Sequence, residues 1–104
     1  MIKVQKKGKQ CKLALEGELT IYNAVELKEG LLKYLRSSSQ LEIDLSHVDE
    51  LDTAGLQVLA CAKKDAAHSE TPFSLINHSR SVIEVLDLYN MTSYFGDPVL
   101  LSRA

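Results

Sequence analysis

The residues best suited to chemistry lie together in one segment, Asp52-Thr53-Ala54-Gly55. The side chain of Asp52 or Thr53 can accept hydrogen bonds from the unpaired N–H groups of a helix that begins there. A threonine hydroxyl at such a helix start is exposed and lies where an anion is tolerated. Gly55 has no side chain, so the backbone of a partner can approach closely. A helix cap alone and a functional surface both fit these residue types, and they leave the two interpretations open.

Four carboxylates lie within nine residues of one another, at Asp44, Asp49, Glu50 and Asp52. A solvated loop followed by acids at a helix start accounts for them, because the helix dipole favours negative charge there. A divalent-metal site is the alternative. We favour it less, because carboxylates without a substrate phosphate are weak indicators of a bound cation. We therefore expect no metal and no cofactor.

Other catalytic and metal-binding patterns are missing from the sequence. It has no glycine-rich phosphate loop and no Ser/Cys-His-Asp arrangement in a recognisable context. Cys11 and Cys61 have no second cysteine or histidine at metal-ligand spacing, and we expect both to be buried, reduced thiols. The sequence therefore favours a binding protein over an enzyme.

The composition fits one domain over residues 1–104. The chain has 12 Lys and Arg residues against 14 Asp and Glu residues, a formal net charge of -2, and 45% hydrophobic residues. This balance is typical of a soluble globular protein and argues against nucleic-acid binding, which depends on cations that neutralise phosphates. No apolar run approaches the roughly 20 residues that cross a bilayer, and the polar beginning does not resemble a signal peptide. We expect a cytoplasmic protein without membrane insertion.

Five lysines crowd the beginning of the chain. A solvated hairpin is the favoured explanation, and a phosphate-binding patch is the alternative. The five are Lys3, Lys6, Lys7, Lys9 and Lys12.

Hydrophobic periodicity predicts the elements that position these residues. The predicted order is strand, strand, helix, strand, helix, strand, helix, with an optional edge strand at the end. The segments are, in chain order, 2–4, 11–15, 24–35, 41–45, 54–68, 72–76, a helix from Ser79 or Ser81, and 98–101. Residues 46–52 are predicted as a polar loop.

The helix starts and the core follow from the same pattern. Asn23 with Glu26, and Ser81 with Glu84, have the spacing of a capping box. One leucine from each of three separate elements is predicted to lie in the core. These are Leu45, Leu59 and Leu86.

The predicted order of elements indicates an α/β fold. Strands that alternate with helices imply parallel, right-handed crossovers, and the opening hairpin adds an antiparallel pair. We therefore expect a mixed β-sheet with α-helices packed on one side.

The chain resembles the STAS domain family, which includes the bacterial anti-sigma factor antagonists. Residues 44–56 read Asp-Leu-Ser-x-Val-x-x-Leu-Asp-Thr-Ala-Gly-Leu, which is similar to the signature of that family. Residues 17–19 match the Gly-Glu-Leu of the family, and residues 85–91 resemble its third helix and the exit from it. The resemblance implies a single-domain STAS-like fold, in agreement with the order of elements.

The resemblance also implies a function. In the family, the hydroxyl residue directly after the motif aspartate is phosphorylated, and here that residue is Thr53. The unmodified antagonist binds an anti-sigma factor, often a serine/threonine kinase that phosphorylates and so releases it, and a phosphatase restores it. Added phosphate charge beside Asp49, Glu50 and Asp52 gives this switch a physical basis.

A partner-binding surface is expected around Thr53, together with the near end of the third helix. Parallel strands bring the loops after their carboxyl ends to one edge of a sheet, where ligands usually bind. The predicted contact residues are Thr20, Ile21, Ser46, Asp52, Thr53, Ala54, Gly55 and Leu56.

Two related functions remain as alternatives. Many phosphorylated members have Ser where this chain has Thr53, and many have Asp after Gly-Glu-Leu, where this chain has Thr20. STAS subunits of lipid-transport ABC systems carry Asp-Thr-Gly-Gly-like motifs, in which the Thr helps to bind the ATPase subunit. A STAS adaptor of a chemotaxis-like signalling cluster is the other alternative.

Overall fold

The computed structural model describes residues 2–95, and its elements follow the predicted order. They are β1 (Ile2–Lys7), β2 (Gln10–Leu19), α1 (Ala24–Arg36), β3 (Gln40–Leu51), α2 (Thr53–His68), β4 (Phe73–Ile76), α3 (Arg80–Leu88) and α4 (Thr92–Phe95). The four-residue α4 has no counterpart in the prediction. The edge strand predicted over 98–101 lies outside the described residues.

The four strands form one mixed sheet in the order β1-β2-β3-β4. β1 runs antiparallel to β2, with Lys7 opposite Gln10, whereas β2, β3 and β4 are mutually parallel. Along β2 and β3, fully buried residues alternate with half-buried ones over most of their length, so one face of the sheet is covered. The predicted α/β architecture, with helices on one side of a mixed sheet, is confirmed.

The core lies between this covered face and the helices. The three leucines predicted for it are buried, with Leu45 and Leu59 at 0% exposure and Leu86 at 1%. One other burial assignment is wrong. Cys61 is exposed on α2, whereas Cys11 is buried as predicted. Cys61 lies off the stripe of buried residues on α2.

The prediction of a polar loop over residues 46–52 is wrong, because β3 continues to Leu51. Buried residues fall at positions 43, 45, 48 and 51, so the strict alternation stops after 45. The register between β2 and β3 shifts twice in this part of the sheet, as it does at β-bulges. Such irregularities move side chains out of the two-residue period and hide a strand from pattern analysis.

The parallel strands give the sheet two different edges. The carboxyl edge is where β2, β3 and β4 end, at Leu19, Leu51 and Ile76, and α2 begins there. The amino edge is where these strands begin, and it contains the β1–β2 turn and the end of α1. No helix in the described part of the chain is long and apolar enough to span a bilayer.

Candidate functional site

Asp52 joins two segments of the carboxyl edge. It is the N-cap residue of α2, and its Oδ1 atom accepts a hydrogen bond of 3.0 Å from the backbone N–H of Gly55. Its Oδ2 atom accepts another, also 3.0 Å, from the N–H of Ile21 in the turn after β2. The backbone N–H of Asp52 donates to the carbonyl of Leu19 at 3.2 Å. One carboxylate therefore holds the start of α2 against the turn that leads into α1.

These hydrogen bonds favour the ionised carboxylate. The N–H groups of Gly55 and then Ile21 lower the pKa of Asp52 below its usual 3.8, against a smaller opposing effect of burial. Asp52 is consequently charged at neutral pH and fixes negative charge directly before Thr53.

Thr20 and Asn23 build the turn after β2. The backbone N–H of Thr20 donates to Asn23 Oδ1 at 2.8 Å, and its hydroxyl accepts from the N–H of Tyr22 at 3.3 Å and donates to Glu18 Oε1 at 3.2 Å. Thr20 is only 5% exposed. It therefore holds the turn in shape from inside and does not present its side chain to a partner. The Asn23 side chain serves this turn instead of capping α1, so the predicted capping box is not formed.

Three apolar side chains protrude beside this turn. Ile21 and Val25 are each 70% exposed, and Tyr22 is 90% exposed. We call Ile21, Tyr22 and Val25 the apolar surface. It adjoins the α2 start, because the backbone of Ile21 is bonded to Asp52. Large apolar side chains exposed in a contiguous group often mark an interaction site.

Thr53 is exposed as the first residue of α2. The cap is formed by Asp52, so the Thr53 hydroxyl is not needed for it. Ala54, the next residue, is half-buried. Of the two predicted roles at this helix start, capping belongs to Asp52.

Gly55 and Leu56 are buried beneath the surface. A Cβ atom built on Gly55 would lie 2.2 Å from the carbonyl oxygen of Leu19 and 2.9 Å from Leu51 Cδ1. The close approach that glycine permits here is therefore made by the chain's own backbone rather than by that of a partner. Leu56 is 5% exposed and belongs to the core. Both residues support the site from behind.

Ser46 belongs to a different group of side chains. Its N–H donates to Asp44 Oδ1 at 2.8 Å, and its hydroxyl lies 3.0 Å from His47 Nδ1. Asn77, directly after β4, donates to Asp44 Oδ2 at 3.1 Å. Ser46 lies five positions before Leu51 along β3, which corresponds to roughly 15 Å. The structure thus places Ser46 near the end of β4 and not beside Thr53.

This second group also contains a perturbed carboxylate. Burial alone would raise the pKa of Asp44, but hydrogen bonds from Ser46 and Asn77 outweigh burial and lower the pKa below 3.8. Among residues 2–95, no group of three or more His, Cys, Asp or Glu side chains is arranged to hold a metal ion.

The start of α3 is attached to the outer part of β3. The Ser79 hydroxyl donates to the carbonyl of Val48 at 2.7 Å and accepts from the N–H of Val82, which makes Ser79 the N-cap of this helix. The Ser81 hydroxyl donates to the carbonyl of Asp49 at 2.8 Å. Ser79 was one of the two predicted helix starts, and Ser81 fastens the helix to the strand instead of capping it.

Tyr22 and Val25 belong to the site, although neither is among the predicted contact residues. The helical angle contains the missing signal, because Val25 lies about 100° from Ala24 around the helix axis, outside the stripe of Leu27, Leu31 and Leu35.

Comparison with known proteins places this arrangement in a family. A family model described as "Mlab, STAS domain" matches residues 2–101. The chain belongs to the STAS-domain family. The sequence resemblance at residues 44–56 is thereby confirmed.

Solved STAS structures share the fold of this STAS domain at low sequence identity. An anti-sigma factor antagonist from Mycobacterium paratuberculosis is 21% identical, with a TM-score of 0.82 over 100% of this chain and 86% of that one. The antagonist SpoIIAA in its unphosphorylated form is 10% identical, with a TM-score of 0.77 over 98% and 88%. The Bacillus cell fate determinant SpoIIAA in its phosphorylated form is 11% identical, with a TM-score of 0.74 over 98% and 91%.

Proposed function

We propose that this STAS-domain protein is an anti-sigma factor antagonist-like regulator, in which phosphorylation of Thr53 switches the binding of a partner. The partner in this proposal is an anti-sigma factor with serine/threonine kinase activity, and a phosphatase reverses the modification. The chain acts as a binding protein rather than an enzyme, in the cytoplasm. The single observation that carries the proposal is the exposed Thr53 beside the apolar surface, joined to it through Asp52.

The apolar surface supplies affinity in this proposal. Tyrosine is among the residues that dominate interface energetics, because its ring buries a large area at a low cost in conformational entropy. Tyr22 and Ile21 are exposed in the free protein, so a partner that covers them gains from their burial. The hydrogen bonds of Thr20 and Asp52 hold the turn in place before binding, which reduces the entropy that binding must overcome.

A phosphate on Thr53 opposes the same contact. It adds about -1.5 to -2 charge at neutral pH to a surface that already carries Asp52, Asp49 and Glu50. A partner that covers Ile21 and Tyr22 would have to desolvate this charge or accept its repulsion. Phosphorylation is therefore expected to release the partner without unfolding the protein.

Binding of an ABC transporter ATPase subunit is the second candidate function. The presence of Thr rather than Ser at position 53 supports it, because STAS subunits of lipid-transport ABC systems carry Asp-Thr-Gly-Gly-like motifs. In this alternative the Thr53 hydroxyl contacts the ATPase directly and is not phosphorylated.

The test compares Thr53→Ala, Thr53→Glu and the parent for affinity to the partner identified by crosslinking in the native cell. Thr53→Ala should stay within about tenfold of the parent, because it loses one hydroxyl. Thr53→Glu should bind at least about a hundredfold more weakly, because it places charge and bulk at the contact. Isothermal titration or surface plasmon resonance measures both. Equal binding by Thr53→Glu and the parent would refute the electrostatic switch.

Two controls accompany this comparison. The free energy of unfolding of both variants should lie within about 0.5 kcal/mol of that of the parent, because Asp52 and not Thr53 caps α2. Tyr22→Ala should weaken binding, whereas Tyr89→Ala, which trims an exposed tyrosine at the end of α3, should not.

Partner identity and modification state separate the two candidate functions. A kinase partner, with a phosphate on Thr53 detected by mass spectrometry of the protein from native cells, supports the antagonist. An ABC ATPase partner with Thr53 unmodified supports the transport role.

A further inference from the structure

The fold gathers cations from distant parts of the sequence at the amino edge. Lys6 and Lys7 end β1, Lys9 lies in the turn that follows, and Lys33 and Arg36 lie in the last turn of α1. All five are exposed. We call these five residues the basic surface. The sequence shows the lysines of the hairpin, but only the fold adds the two cations of α1.

Specific contacts bring the two segments together. The Nζ atoms of Lys6 and Lys33 lie 5.8 and 5.6 Å from the centre of the Tyr34 ring, so one aromatic ring attracts a cation from each segment. The backbone N–H of Ser39, after α1, donates to the carbonyl of Lys9 at 2.8 Å. The β1–β2 turn and the end of α1 therefore form one continuous surface.

The charge of the basic surface is not neutralised locally. Within the described residues, the one salt bridge joins Lys3 and Glu16, away from this surface. Several acids lie near this surface. Glu42 lies opposite Lys12 in the register of β2 and β3, Asp65 lines a groove together with Arg36, and Glu29 precedes Lys33 by four positions on α1. The hairpin lysines face none of them at ion-pair distance.

The basic surface also has a concave part. A groove of about 580 Å³ opens beside the hairpin and is lined by Lys6, Lys7, Lys12 and Gln40, with Glu42 as its one acidic residue. It has room for a phosphate group surrounded by lysine side chains.

We propose that the basic surface docks this protein onto an anionic phospholipid bilayer. Groups of four to eight Lys and Arg residues attract anionic membranes, and each cation strengthens the attraction. The molecule measures 33 × 28 × 26 Å, and the Debye length is about 10 Å at 0.1 M salt. The membrane therefore attracts the near, basic edge, while screening weakens its repulsion of the acids around Thr53.

The same geometry disfavours single-stranded nucleic acid as the occupant. Proteins that hold single strands stack bases on aromatic rings. Here Tyr34 is half-buried and attracts two lysines, so its ring is not free to receive a base. The surface offers charge without a stacking platform, which suits a lipid headgroup layer.

Membrane docking in this orientation goes beyond the proposed function and does not depend on it. The carboxyl edge, with Thr53 and the apolar surface, points away from the bilayer when the amino edge faces it. A partner can then bind a protein that is already at the membrane.

The test measures co-sedimentation with vesicles of phosphatidylcholine and phosphatidylglycerol, and with vesicles of phosphatidylcholine alone. The parent should sediment only with the anionic vesicles and should dissociate when about 1 M salt shortens the Debye length to about 3 Å. Lys7→Gln with Lys9→Gln should lower the partition coefficient about thirtyfold, because two cations are lost. Both positions are exposed, Lys7 at the end of β1 and Lys9 in the turn that follows, so the double variant should fold, as thermal unfolding would verify.

A matched control separates the surface from overall charge. Lys28→Gln with Arg80→Gln removes the same two charges from exposed positions on α1 and α3, and its partition coefficient should change less than about threefold. An equal loss in this control would overturn the proposal, as would binding to phosphatidylcholine alone. Retention on duplex DNA without sedimentation on anionic vesicles would also overturn it, in favour of nucleic acid.

Discussion

The carboxyl and amino edges of this sheet are built in different ways. At the carboxyl edge, side-chain oxygens of Asp52, Thr20 and Asn23 accept hydrogen bonds from the backbone N–H groups of two segments, and the apolar surface lies on the backbone that they fix. At the amino edge, the segments meet through a backbone hydrogen bond at Ser39 and through lysines around Tyr34. A surface fixed in shape suits a specific protein partner. A surface defined by charge on long side chains suits a partner without a defined shape.

The largest expected difference between the edges is the loss of stability when a glycine at each edge is replaced by alanine. Gly55→Ala should lower the free energy of unfolding by about 3 kcal/mol or more, because the new Cβ meets the backbone of Leu19 and either β2 or α2 must move. Gly8→Ala in the β1–β2 turn meets no atom within 4 Å, and its positive φ of 65° should cost only about 1–2 kcal/mol. Chemical denaturation measures both.

Gly30→Ala is the control for helical glycine. The new Cβ meets only Ile2 Cδ1, the end of a flexible side chain, and alanine favours the helix by about 1 kcal/mol, so stability should hardly fall. If Gly55→Ala lowers stability no more than Gly30→Ala does, α2 does not pack as closely against the backbone of Leu19 as described.

A smaller difference in stability is expected when the side chain that joins two segments at each edge is removed. Asp52→Ala should cost about 1–2 kcal/mol, because it removes the cap of α2 and the bond to Ile21. Ser39→Ala removes an exposed hydroxyl contact of 3.2 Å to the carbonyl of Lys9 but keeps the backbone bond, and should cost less than about 0.5 kcal/mol. Thermal unfolding of the two variants side by side checks the order. Equal losses would mean that both edges are held mainly by backbone contacts.

The smallest expected effect is in the dependence of stability on pH. The pKa of Asp52 is lowered by folding, so the unfolded chain binds a proton more readily and the stabilisation is complete only above its usual value of 3.8. It is lost as the pH falls from there through the lower pKa of the folded state. Asp52→Asn should therefore show a shallower loss of thermal stability between about pH 5 and pH 2 than the parent.

Asp44 contributes to the same acid sensitivity. Its pKa is also lowered in the folded protein, because hydrogen bonds from Ser46 and Asn77 outweigh burial, so the slope should become shallower again when Asp44→Asn is added to Asp52→Asn. A parent whose stability is constant down to about pH 2 would contradict both assignments.

The sequence predicts much of the fold because the spacing of its apolar residues is regular wherever the helices and strands pack regularly. The leucines of β3, α2 and α3 keep the periods of their elements, and Leu45, Leu59 and Leu86 are buried accordingly. Prediction stops where the sheet becomes irregular. The register shifts between β2 and β3 place Val48 and Leu51 inward at a three-residue spacing, which resembles a loop in a pattern based on alternation.

The sequence predicts the helix start at the middle of the site, but not which residues from other segments surround it. The Asp52-Thr53 pair at a helix start is a local signal, and α2 does begin at Thr53. The link from Asp52 to Ile21 spans 31 positions, and no local pattern reports such a bond. Burial of Thr20 and Leu56, and the separation of Ser46 from Thr53, likewise depend on how distant segments meet.

The bond from Ile21 to Asp52 has a consequence for hydrogen exchange. The Ile21 amide is held by a side chain of another segment, so it becomes accessible to solvent when the start of α2 moves away. The amides of Ile21 and Gly55 share one carboxylate and should exchange deuterium at similar rates, although they lie on different elements. Exchange at Ile21 therefore reports how often the surface around Thr53 opens in the folded protein.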